Sequence, residues 1–391
     1  MSPRARVLLI GPTPPPYHGV AVAVDMLLHS RLQEVFEVSH LELADRRGIG
    51  HVNKPDFHDV WLFIQQWLTF SRLLLTRLPH VTYLVLSQST IGFLRDSFFL
   101  WPAWLLGTRL VVHLHGGAFR DWYGRCWFPM RVYIRATLRL VKTAIVLGES
   151  LRGQFSGLVP EGSIAVVSNG VGIIGDSTER TVPAGDRPWR ILYLNTLNRM
   201  KGALVLLAAI PTILRHRRDV EFIFAGPWSH EDHRLEAMQY IAQHQLDRVV
   251  TFPGQVTGDS KAALLRSADL FVFPGIQPEG QPLVVLEAIG ASLPIVFTNQ
   301  GCLRETVVDG EAGIEAYVND PYDLASRILW LLDRPDECRR LGQNGERRCR
   351  DLFNKDRYIE SMIQIIGNAA TESSTLRYTP LLSNSHGNPH L

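Results

Sequence analysis

A chain of 391 residues with a net charge of +2 is too long for one hydrophobic core and too nearly neutral to be a general nucleic-acid binder. With 46% hydrophobic and 20% charged residues it is folded and globular rather than disordered. Its four cysteines, Cys126, Cys302, Cys338 and Cys349, show neither metal-site spacing nor disulfide density, which places the chain in a reducing compartment.

The first apolar run, Val7 to Ile10, is too short for a secretory leader and reads as the first strand of a parallel sheet. It ends in Gly11-Pro12-Thr13-Pro14-Pro15-Pro16-Tyr17-His18-Gly19, followed by a helical stretch from Ala21. Strand, loop and helix begin a nucleotide-type α/β unit, although no G-x-G-x-x-G is present, and a stiff proline connection explains the loop equally well. Trp61 to Leu78 is a helix apolar on more than one face, either well buried or partly lipid-facing. No charge-free run reaches the roughly 18 residues of a membrane span. Strands follow at Val81 to Leu86 and Arg109 to His115, the second ending in His113 and His115 on one face. A third ligand at a telling spacing is missing, so the pair does not read as a metal site. From Phe119 to Lys142, aromatic and basic residues interleave, as in an interfacial membrane helix; the alternative is an ordinary amphipathic helix.

After a polar linker the pattern restarts. Arg190 to Leu194 is a strand, Asn195 to Gly202 a loop and Ala203 to His216 a helix. His230 to His233 reads as a solvated helix start. The most informative stretch is Pro278-Glu279-Gly280-Gln281-Pro282-Leu283-Val284-Val285-Leu286-Glu287, between the buried strand Leu270 to Phe273 and a helix. Pro282 suits the first helical position, and the amides of Leu283 and Val284 then face outward at a positive helix end, an anion site. Glu279 before that end and Glu287 beyond it bracket the anion, a layout that fits a sugar–diphosphate–nucleoside. Gly301 to Gly313 reads as a loop containing Glu305, and Asp356 to Ile366 as a last amphipathic helix.

The run from Glu279 to Glu287, with Gly290 to Val296 and Gly301 to Gly313 after it, resembles the E-x7-E region of retaining glycosyltransferases of family 4. The resemblance is strong from about Tyr193 to Gly313 and weaker over the N-terminal half. It implies an α/β fold of the GT-B type, two Rossmann-like domains facing across a cleft. It further implies that Glu279 and His115 are catalytic, with Glu279 on the transferred sugar and His115 near its anomeric carbon; His113, on the same strand face, is the alternative participant. Donor binding would fall to Gly19, Arg199, Lys201, Gly280, Gln281, Leu283, Val284 and Glu287, with Glu287 on the ribose. Thr196 stands where the family carries an arginine, and Arg199 is the nearby substitute. Backbone atoms between Gly254 and Gly258 would meet the base.

The resulting expectation is an N-terminal acceptor-side domain over 1–172, a linker over 173–188 and a nucleotide-sugar domain over 189–353. A helix over 354–370 crosses back to the N-terminal domain, and a disordered tail spans 371–391. The expected activity is metal-independent, retaining transfer from a nucleotide-sugar donor to a saccharide or polyprenyl-linked acceptor. No resident cofactor, no nucleic-acid partner and a cytoplasmic location on an anionic membrane surface complete the reading. The alternatives are a non-catalytic GT-B binding or scaffold protein and a sugar-nucleotide epimerase.

Overall fold

The computed structural model describes residues 4–43, 57–173, 183 and 187–371. Most of the expected linker, and the expected tail beyond Thr371, lie outside these residues.

Short apolar runs buried on both faces build parallel sheets, and this chain has two of them. The N-terminal sheet contains β1 (Arg6–Gly11), β2 (Glu37–Glu42), β3 (Val81–Val85), β4 (Arg109–His113), β5 (Val141–Val146) and β6 (Ile164–Val166) in the order β2-β1-β3-β4-β5-β6. The C-terminal sheet contains β7 (Trp189–Leu194), β8 (Val220–Ala225), β9 (Val250–Gly254), β10 (Leu270–Phe273), β11 (Ile295–Thr298) and β12 (Gly313–Ala316) in the order β12-β11-β10-β7-β8-β9. The second order is that of a dinucleotide-binding Rossmann sheet, reversing between β7 and β10. The first is the flavodoxin-like order, reversing between β1 and β3. At a reversal the two following loops diverge and leave a crevice.

One side of the N-terminal sheet carries α1 (Gly19–Leu28), α2 (Leu32–Val35) and, from the far end of the chain, α14 (Lys355–Thr371). Tyr358, Met362 and Ile366 of α14 join Val7, Leu9, Tyr83 and Ile145 in one buried cluster. The other side carries α3 (Phe57–Arg77), α4 (Thr90–Leu105), α5 (Phe119–Arg125) and α6 (Phe128–Leu138) over a core that includes Phe70, Phe93, Phe99 and Ile134. The C-terminal sheet is covered by α7 (Ala203–His216), α8 (Glu231–His244) and α12 (Pro321–Leu332) on one side. On its other side lie α9 (Gly258–Ser267), α10 (Leu283–Gly290) and α11 (Leu303–Val307), with α13 (Pro335–Leu352) packed on α10.

Three local readings change. Phe119 to Lys142 is α5, α6 and the start of β5 rather than one helix: Cys126 and Trp127 are extended, and Pro129 opens the first turn of α6. Gly301 to Gly313 contains the helix α11. Pro282 is the extended cap of α10, with φ −66° and ψ 123°, so the helix begins one residue later, at Leu283.

The chain crosses between domains twice. The two crossings lie side by side, the Val171 amide donating to Phe353 at 2.8 Å and the Lys355 amide to Val171 at 3.1 Å.

Candidate functional site

The site forms where the carboxyl ends of the two sheets face each other. The loop after β7 and the loop after β10 diverge at the reversal of the C-terminal sheet and are joined by the Ile276 amide donating to Met200 at 2.9 Å. From these loops come Lys201 and Glu279, whose Nζ and Oε1 are 2.5 Å apart with both side chains largely buried. Asn198 fixes the lysine's loop by accepting from the Lys201 amide at 2.7 Å.

Glu287 lies one turn into α10 and has its own lysine. Lys261 of α9 donates to Glu287 Oε1 at 2.5 Å, while Oε2 is buried and has no protein partner. A buried carboxylate oxygen without a donor is costly, so this atom is the place in the site most in need of a ligand hydroxyl or water. Between the two carboxylates, the amides of Leu283 and Val284 precede the helical ladder of α10, which starts with Val285 donating to Pro282 at 3.1 Å.

The opposite wall is close. A Cβ placed on Gly117 would fall 2.2 Å from the Glu279 carbonyl oxygen, and one on Gly280 would fall 2.0 Å from that of His115. Within the C-terminal domain, a Cβ on Gly301, whose φ is +61°, would lie 1.6 Å from the Glu279 oxygen. The Glu279–Gly280 backbone is therefore held where only glycine fits on three sides. Gly19, the first residue of α1, faces Leu283 across the cleft. Cys302 Sγ donates to the Gly280 carbonyl at 2.9 Å; burial pushes this thiol up to about 12.

His115 ends at the cleft with its Nε2 enclosed and unpartnered. Burial, and then the neighbouring His18, lower its pKa to about 4, so it is neutral near pH 7. Its ring stacks on that of His113, with centroids 4.0 Å apart. His113 is wholly buried, its Nδ1 bonded to the Tyr83 hydroxyl at 2.8 Å, and burial holds its pKa well below the usual histidine value. His115 is thus the histidine at the cleft, and His113 the one behind it.

Two expected donor residues are engaged elsewhere. Arg199 turns away from Lys201 and forms a two-toothed pair with Glu236 of α8, at 2.9 and 2.7 Å, in the open. Its position three residues before Gly202 brings the backbone to the site but not the guanidinium. Gln281 directs its side chain into the domain interface, accepting from the Asn169 amide at 2.7 Å and donating to Thr306 at 3.1 Å. Only its backbone amide remains for a ligand. Lys261 escaped the sequence reading because no local pattern links it to Glu287, 26 positions on. No group of three or more metal-ligating side chains occurs among the described residues.

A second set of contacts bridges the domains beside the site. Glu305 of α11 accepts from the amides of Glu149 and Ser150 at 3.1 and 3.3 Å and from the Ser150 hydroxyl at 2.6 Å. Asn169 Nδ2 donates to the Gln281 carbonyl at 2.9 Å.

Residues 177–348 match a family model described as glycosyl transferases group 1. Glycogen synthase from Mycobacterium tuberculosis is 30% identical over 168 residues, 43% of this chain and 39% of that protein. Phosphatidyl-myo-inositol mannosyltransferase from Mycolicibacterium smegmatis is 30% identical over 175 residues, 44% of each. The chain thus spans less than half the length of these curated relatives. Whole-chain similarity is structural. HepE from Anabaena, solved with UDP and glucose, superposes with a TM-score of 0.71 at 15% identity, covering 93% of this chain and all of that one. Sucrose-phosphate synthase from Thermosynechococcus elongatus superposes at 0.73 with 18% identity over 94% of this chain and all of that one. The fold is the two-domain α/β arrangement of GT-B glycosyltransferases.

Proposed function

We propose that the protein is a retaining glycosyltransferase that moves a sugar from a nucleotide-sugar donor to a lipid-linked or membrane-proximal saccharide in polysaccharide or glycolipid assembly. The observation that carries the reading is the pair of lysine-bound glutamates on either side of the α10 N-terminus, one of them with an unpartnered oxygen. The match of residues 177–348 to group 1 glycosyl transferases supports it over the half that holds both pairs. The UDP in the HepE structure supports a nucleoside diphosphate as the leaving group, by fold alone.

In this reading the diphosphate lies against the amides of Leu283 and Val284, where the helix end favours negative charge. Lys201 stabilises the charge that grows on the departing phosphate, a fixed cation in a site partly closed to water. Glu279 accepts from hydroxyls of the transferred sugar, and Glu287 Oε2 accepts from the ribose. Neutral His115 hydrogen-bonds the sugar or the incoming acceptor from the opposite wall. Transfer in this reading proceeds without a covalent enzyme intermediate, the leaving phosphate itself helping to take the acceptor proton on the face it leaves. The donor is the substrate, no resident cofactor or metal takes part, and the location is the cytoplasmic face of the membrane. With Arg199 held by Glu236, the phosphate cations are Lys201 and, toward the nucleoside, Lys261.

Incubation with a panel of labelled nucleotide sugars and a membrane extract tests this directly. Label is expected in lipid or polymer, and Glu279→Ala and Lys201→Ala are expected to abolish it with folding intact. The reading is lost if no donor is bound or consumed by any preparation.

A further inference from the structure

Three helices on one side of the N-terminal sheet, α3, α4 and α6, present apolar residues outward as well as inward. On α3, Trp61, Ile64, Leu68 and Leu75 recur at helical spacing and are exposed, Leu68 by 63%. On α4, Ile91, Leu94, Phe98 and Leu105 form the same kind of stripe, ending with Leu105 at 70% exposure. The stripes adjoin, with the rings of Phe63 and Phe98 5.7 Å apart. On the other flank, Trp101 of α4 bonds Thr137 of α6 at 3.1 Å, and Trp127 just before α6 joins Phe128 and Val132 on it as exposed apolar side chains. A continuous apolar face of this extent on a folded domain marks a contact surface.

We infer that this face docks on an anionic lipid bilayer. Charge decides between a bilayer and a protein partner. Arg131 and Arg135 on α6 and Arg139 at its end lie exposed, α6 carries no acid, Arg125 at the end of α5 is exposed beside them, and none of the four is in an ion pair among the described residues. Cations flanking an apolar surface, with Trp61, Trp104 and Trp127 among its exposed side chains, suit the headgroup boundary, where the indole is half in hydrocarbon and half wet. No helix among the described residues is long and apolar enough to cross the membrane, so the contact is a surface one.

The face also leads to the cleft. Ser89 caps α4, Gln88 accepts from the Ala118 amide at 3.1 Å, and Thr90 accepts from Trp122 of α5 at 3.2 Å. The α4 stripe therefore begins beside the His115–Gly117 rim and runs away from it for about 24 Å at ~1.5 Å per residue. An acceptor anchored in the bilayer reaches the site along that edge without leaving the lipid. This last consequence rests on the transferase reading; the docking itself does not.

Vesicle co-sedimentation of the full chain tests the inference. Binding to phosphatidylglycerol-containing vesicles at low salt is expected, with weaker binding at high salt and on pure phosphatidylcholine. Leu68→Glu with Leu105→Glu is expected to lower it at least tenfold, and Arg131→Gln with Arg139→Gln to remove its salt dependence, with UDP or GDP binding unchanged in both. Absence of wild-type binding at low salt, or full binding by the glutamate variant, overturns the inference. So does a concentration-dependent dimer that the glutamate variant abolishes, which would give the face to a second copy. If vesicles bind but neither nucleotide does, the transferase reading fails while the docking stands.

Discussion

The carboxylate of Glu305, on the C-terminal domain, accepts the Ser150 hydroxyl of the N-terminal domain at 2.6 Å. It also accepts two amides at the start of the turn Glu149–Phe155, so one side chain bridges the cleft with three hydrogen bonds. Charged acceptors gain more from such bonds than neutral ones, though solvent exposure here reduces the benefit. Glu305→Ala is expected to cost about 1–2 kcal/mol of closure, shifting the open population about tenfold. Small-angle scattering should show a larger radius of gyration for the variant and transfer should slow, while Glu305→Gln retains part of both. Identical scattering and rate in Glu305→Ala would remove the bridge from the closing motion.

Lys261 and Glu287 are expected to depend on each other. Removing either leaves a largely buried charge without its partner, and Lys261→Met should destabilise the fold by about 1–3 kcal/mol. The combination Lys261→Met with Glu287→Leu should recover most of that stability, since two apolar groups leave nothing unpaired. Nucleotide binding should be lost in both. Urea unfolding and calorimetric titration with UDP and GDP separate the two effects. Additive stability losses in the double variant would show that the pair is not coupled.

His115 carries a pH dependence of known sign. Its folded pKa of about 4 lies below the unfolded value of roughly 6.5, so the unfolded chain binds the proton first as pH falls. The stability associated with neutral His115 is full above about pH 6.5 and is lost progressively toward pH 4. His113, held low by burial, adds to the same slope. Urea midpoints measured between pH 7 and 4.5 should fall, and His115→Gln should flatten part of that fall. A variant with the wild-type slope would place the titration elsewhere.

The C-terminal half was legible because its chemistry is local. Strand, broken turn and helix around Glu279 are contiguous, and the turn's glycines mark where backbone approaches backbone. The partner Lys201 stands just before Gly202, whose left-handed φ of +85° lets the loop pass against Pro274. What could not be read was side-chain direction and sheet order. Arg199 lies two residues from Lys201, yet its long stem reaches α8 and Glu236 instead. Lys261 meets Glu287 only because β9 and β10 sit on opposite sides of β7, a relation with no trace in the nearby sequence. The N-terminal half was harder for a related reason. Its outward apolar stripes look like core in one dimension, and the break at Cys126 and Trp127 is signalled only by Pro129.

The side-by-side crossings at Val171 and Asn354 have a consequence for the order in which the molecule is made. The C-terminal domain has all its strands and its packing helices once Leu352 has been synthesised. The N-terminal domain, begun far earlier, still lacks α14, and until then the side of its sheet holding Leu9, Tyr83 and Ile145 lacks Met362 and Ile366. The domain translated first is therefore the one completed last, and its final cover leaves the ribosome after everything it must wait for.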